Sequence, residues 1–149
     1  KPKVLGLMRR LDHSSIFMMI AGTFTPICLL VLPMATGKNL LIIIWVIAGL
    51  GILQSIIFTN MPRLLRASFY LGAGYLAIPY MSVMSSFMGY TNFALTVAGG
   101  TIYSVGAISY GFKFPDISPK YFGFHEFFHL LVCIAAILHF IVIYSIVGS

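Results

Sequence analysis

The stretch GFHEFFHLLVCIAAILHF, residues 123–140, poses two readings at once. His125, Glu126 and His129 stand in the order H-E-x-x-H, the spacing with which zinc metalloproteases hold their metal. The same stretch runs without a break into an apolar segment suited to lipid rather than water. Which solvent the chain lives in must be settled before the motif can be interpreted.

Composition settles it. Of the 149 residues, 60% are hydrophobic and 8% charged, with a mean hydropathy of +1.01. A soluble domain carries roughly 25% charged residues, so this chain cannot cover its surface in water and is expected to be an integral membrane protein. The formal net charge of +6 does not point to nucleic acid. The basic residues form no patch with interleaved aromatics, and no nucleic-acid partner is expected. They fall in short connections between apolar runs, where orientation signals lie. Cys28 and Cys133 lie inside separate apolar runs and read as buried packing residues. The opening KPKVLGLMRRLD lacks the apolar core of a signal peptide.

A crossing needs about 20 predominantly apolar residues. Five stretches qualify: 14–33, 39–59, 64–81, 91–112 and 121–147. All are expected to be helical, because a helix satisfies its own backbone hydrogen bonds in hydrocarbon. The fold class is therefore all-α, a polytopic membrane bundle forming one domain over residues 1–149. With five crossings, Lys1, Lys3, Arg9, Arg10, Arg63, Arg66, Lys113 and Lys120 share the side of the N-terminus, and Lys38 stands alone opposite. That bias predicts a cytoplasmic N-terminus and an external C-terminus. Thr96, Gly100 and Ser104, spaced by four beside Gly99 and Gly106, predict a small-residue packing face. Pro26 and Pro79 predict kinks in the first and third spans.

Ionisable residues within a membrane are costly, so each is a functional candidate. Asp12 and His13 open the first span; His125, Glu126 and His129 open the fifth. Both spans run in the same direction, which puts these groups at one depth. His125 and His129, four residues apart, share a helix face about 6 Å apart along the axis. Two imidazoles so placed could grip one metal ion, with Asp12 completing the site directly or through a water. Zinc suits that donor set, and iron or manganese also accept it. His139, about 15 Å further along the helix, reads as a hydrogen-bonded packing residue. Glu126 points about 100° away from His125 and reads as facing the interface. A protease would need a third ligand and a companion motif such as Leu-Asp-Gly, whereas the chain has RLDHSS.

Three ordered motifs narrow the choice: LDHSSIFMMIAGTFTP (11–26), GGTIYSVGAISYGFKFP (99–115) and FHEFFHLLVCIAAILHF (124–140). Together they resemble the haemolysin-III family, the bacterial branch of the progestin and adipoQ receptor superfamily. The resemblance covers nearly the whole chain. It implies a seven-helix bundle in the bacterial plasma membrane, with zinc bound near the cytoplasmic leaflet. On it, His125 and His129 match the two zinc-binding histidines of the last helix, and Asp12 matches the aspartate near the zinc and its water. It assigns Glu126 no settled role. A third histidine, ending a Ser-x-x-x-His motif, is implied on a helix ahead of Lys1, so the chain reads as five of seven helices. His13 is a substitute ligand only if its different helical face allows it.

Three functions follow as expectations. One is a zinc-dependent lipid amide hydrolase, resembling ceramidases, with Asp12 as the catalytic general base and a lipid substrate. Another is a non-enzymatic protein whose structural zinc serves lipid homeostasis or signalling. The third is lytic pore formation, disfavoured by spans without repeated polar faces or charged rings.

Overall fold

The computed structural model describes residues 2–58, 61–115 and 122–148, and Lys1, Lys120 and the 116–121 connection lie outside them. Among the described residues six α-helices follow in order: α1 (Pro2–Leu30), α2 (Met34–Ile57), α3 (Arg63–Tyr75), α4 (Met81–Met88), α5 (Tyr90–Phe112) and α6 (Phe124–Val147). No strand occurs among these residues, and the all-α membrane bundle read from hydropathy is what forms. Four helices, at Gly6–Leu30, Met34–Ile57, Tyr90–Phe112 and Phe124–Val147, are long and apolar enough to cross a bilayer among the described residues.

Two predicted boundaries change. The first span does not begin at residue 14, because α1 already starts at Pro2 and carries Arg9 and Arg10 on helical backbone. Hydropathy reads the basic turns as a connection, yet Arg and Lys are good helix formers, and nothing in that segment breaks the helix. The third span, 64–81, is not one helix. α3 has 13 residues, a rise of about 20 Å against a hydrocarbon thickness near 30 Å. It gives way to a 3-10 turn at Ile78–Tyr80 before α4 resumes. Pro79 explains the break: it has no N–H to donate, and its ring clashes with the carbonyl four residues back, that of Tyr75. Pro26, by contrast, sits inside an uninterrupted α1.

Packing follows the small residues. α5 lies along α6 and α1 along α2, while α3 packs on α5 and α1 also touches α6 and α3. Phe17 of α1 presses its ring on Gly51 of α2, where a Cβ would collide with it. On α5, Gly99 receives the His139 ring, and Gly106 receives Phe128 and Leu131 of α6. The predicted face of Thr96, Gly100 and Ser104 is displaced from this contact. Gly100 is exposed, and a Cβ added there would meet nothing within 4 Å; all three residues line a cavity instead. The close approach uses the seven-residue pair Gly99 and Gly106, two turns apart on one stripe.

Cys28 is buried as expected, whereas Cys133 is exposed. In a membrane helix the outward face is as apolar as the packed one, so apolar neighbours in sequence do not imply burial in protein. Large side chains such as Leu29, Ile42, Val46, Ile137 and Phe140 accordingly point outward, forming the surface that lipid would cover.

Two substitutions separate the packed glycine from the open one. Gly99→Ala is expected to destabilise the bundle by about 1–3 kcal/mol through overpacking, and Gly100→Ala to cost nothing. Unfolding of the purified proteins in mixed detergent measures both, and equal losses would contradict the packing described.

Candidate metal centre

Four chain segments bring polar groups to one end of the bundle. Asp12 lies ten residues into α1, His125 and His129 occupy the first two turns of α6, Arg66 and Tyr70 come from α3, and Tyr110 from the end of α5. α6 can start here because Glu126 caps it. The Gly123 N–H donates to Glu126 Oε2 at 3.0 Å, the back-reaching half of a capping box. The carboxylate between the two histidines is thereby committed to the helix end and exposed. A metalloprotease needs that carboxylate as its general base over the metal. The H-E-x-x-H spacing is present, and the protease arrangement is not.

His125 and His129, one turn apart, direct their Nε2 atoms to within 3.2 Å of each other. Asp12 meets both from the facing helix: Oδ1 stands 3.2 Å from His129 Nε2, and Oδ2 stands 3.8 Å from His125 Nε2. One ligand atom from each residue fits within 4.8 Å of the others. Donors around a single tetrahedral ion, with bonds of ~2.0–2.1 Å, stand about 3.3–3.4 Å apart. The Nε2–Nε2 and Oδ1–Nε2 spacings, both 3.2 Å, lie close to that value, and the three residues form a candidate site for a zinc-sized ion. Aromatic rings hold the imidazoles in place: Tyr110 lies 6.1 Å from the His125 ring and Phe128 lies 5.2 Å from that of His129, centroid to centroid. Both histidines and Asp12 are half-buried, open enough to admit water or another ligand.

His13 is not part of this triad. It is buried, its Nε2 bonds Arg66 Nη1, and Tyr70 Oη lies 3.4 Å from its Nδ1. The guanidinium holds the Nε2 edge, and the ring lies outside the group of Asp12, His125 and His129 whose ligand atoms converge, so His13 does not stand in for the third histidine that the resemblance implies. His139 is likewise remote. It is buried against Tyr103, with Nδ1 donating to the Ala135 carbonyl at 2.8 Å, the packing role its position predicts.

Sequence reasoning missed Arg66 and Tyr70. Arg66 counts among connection charges by hydropathy, yet it is 4% exposed within α3. The signal was the spacing in RLLR. Arg66 lies three residues beyond Arg63, almost one helical turn deeper into the bilayer, where a charge demands a partner. Beside the site, a cavity of about 270 Å³ opens among α1, α3, α5 and α6, lined by residues including Ile16, Tyr70, Phe128 and His139.

A helical membrane protein with a histidine–aspartate cluster at one end of its bundle is the class that fold and site define. Residues 1–140 match the family described as haemolysin-III related. The chain belongs to the haemolysin-III family. The chain is 42% identical over 109 residues to "Hemolysin-3" of Bacillus cereus, covering 72% of this chain and 49% of that protein. It is 37% identical over 111 residues to "Hemolysin-3 homolog" of Bacillus subtilis (strain 168), covering 74% of this chain and 52% of that one. The chain thus spans about half the length of the curated relatives it matches. No solved structure matches it.

The capping assignment is testable apart from the triad. Glu126→Ala is expected to lower the thermal midpoint slightly, because the α6 cap is lost, while leaving metal affinity unchanged. Isothermal titration and thermal melting of the variant measure both, and a large loss of metal affinity would return Glu126 to the site.

Proposed function

We propose that Asp12, His125 and His129 hold a zinc ion near the cytoplasmic leaflet of the plasma membrane, and that the protein hydrolyses amide-linked lipids there. The observation that carries this reading is the convergence of two Nε2 atoms 3.2 Å apart with a carboxylate oxygen 3.2 Å from one of them. The donors come from α1 and α6, over a hundred residues apart in sequence. The adjoining apolar cavity supports a lipid substrate, since it gives an acyl chain somewhere to lie beside the polar end. The loop charges support the cytoplasmic placement of that end.

Zinc in such a site polarises a carbonyl and makes water acidic enough to attack near neutral pH. The rest falls to the chain. His125 and His129 hold their positions through α6, flanked by the tilted rings of Tyr110 and Phe128. Asp12, with Oδ1 toward the ion, would serve as general base through Oδ2: it takes the proton of the attacking water there and returns it to the amine nitrogen as the carbon–nitrogen bond breaks. The products are a fatty acid and a free amine. Tyr70 and Ile16, which border the cavity, exclude bulk water from the acyl side.

The relatives' name, Hemolysin-3, favours a second reading in which the protein permeabilises membranes. The two are separable by assay. Fatty-acid release from amide-linked lipids, lost on chelation and restored by zinc, is expected under the first; dye leakage from liposomes without release of fatty acid would favour the second.

Metal titration and labelling test the site and its side of the membrane. His129→Ala is expected to abolish saturable zinc binding, and His139→Ala to leave it unchanged; equal effects of the two would reject the triad. Lys113→Cys should react with an impermeant thiol reagent only from the cytoplasmic side, and labelling on intact cells would reverse the orientation.

A further inference from the structure

The buried group that the proposed chemistry leaves unused is the pair His13 and Arg66. Arg66 Nη1 bonds His13 Nε2. A guanidinium can only donate, so Nε2 accepts, and the imidazole is the neutral tautomer with its proton on Nδ1. The Nδ1 edge faces two acceptors: Tyr70 Oη at 3.4 Å and Asp12 Oδ2 at 3.6 Å. The second distance is longer than a hydrogen bond, so the contact with Asp12 is that of an N–H dipole beside a carboxylate. Oδ1 is left to His129 at 3.2 Å. Oδ2 thus stands between the His125 Nε2 at 3.8 Å and the Nδ1 edge of a ring whose tautomer an arginine dictates.

We infer that His13 and Arg66 are positioning residues for Asp12, with Arg66 fixing the His13 tautomer and the His13 Nδ1–H orienting the carboxylate toward the metal. The inference rests on the metal reading of the Asp12, His125 and His129 triad. Asp12 and His13 are adjacent on α1, so their side chains alone cannot set this geometry. The third point comes from α3, whose position against α1 and α5 brings Arg66 to the ring. Outer partners of this kind orient ligating groups, and their loss typically costs 10–100-fold in metal affinity. Burial of both residues keeps water from substituting for either donor.

The test uses the purified full chain and cobalt(II) alone as the probe, reading affinity and the visible absorption bands that report ligand geometry. Two replacements fill the His13 site. His13→Gln puts its amide near the Nε2 position, within reach of Arg66 but away from Asp12. His13→Asn puts an N–H near the Nδ1 position. Gln is expected to weaken cobalt binding by about tenfold and shift the absorption bands, and Asn to hold both near wild type. Asp12→Asn should weaken binding, and adding His13→Gln to it should cost nothing more, because the two act through one carboxylate. Equal affinity for the Gln and Asn variants, or additive losses in the double variant, would overturn the inference and leave the metal reading standing. Absence of saturable cobalt binding in the wild-type chain would overturn both.

Discussion

A carboxylate held among apolar helices is the constraint on which this end of the molecule turns. Asp12 lies within a segment long and apolar enough to cross a membrane, where an unpaired charge is costly. It must meet donors or cations. The bundle supplies them from two directions: His129 and His125 of α6 on one side, His13 with Arg66 behind it on the other. The meeting of α1 with α6, and of α3 with α1, can be understood as what pairing Asp12 requires. The helices carrying these groups enter from one end, which is why residues far apart in the chain reach one depth.

The glycines make that meeting geometrically available. Gly99 and Gly106 let α6 approach α5 until the His139 ring and Phe128 sit against backbone. Phe128 then lies tilted beside His129, and Tyr110 of α5 lies tilted beside His125. The rotation of α6 that points both imidazoles at α1 is therefore set by packing further along the helix. Without a hydrophobic force between helices in lipid, such close contact is the principal adhesive available. The site depends on it as much as on its own polar contacts.

Depth was legible in the sequence and rotation was not. Hydropathy located the four helices long and apolar enough to cross and put Asp12, His125 and His129 at one level, because length and polarity determine where a helix meets the interface. Rotation about the helix axis left no comparable mark. The lipid-facing and packed sides are equally apolar, so periodicity could not say that Gly99 rather than Gly100 faces α6, nor that Cys133 turns outward. Arg66 was hidden for a related reason. A charge near a span end looks like a loop charge until a partner across the bundle is known, and His13 is 53 positions away. The break at Pro79 was readable as a kink, but not as an end to α3.

The central claim is that α1 and α6 jointly ligate one metal through nitrogen and oxygen. X-ray absorption at the zinc edge, recorded on the zinc-loaded protein and its Asp12→Asn variant, addresses it most directly. The account predicts a first shell of nitrogen and oxygen at ~2.0–2.1 Å, imidazole multiple scattering from at least two histidines, and a changed shell in the variant. A shell containing sulfur, a spectrum without imidazole scattering, or one indifferent to Asp12 would contradict it.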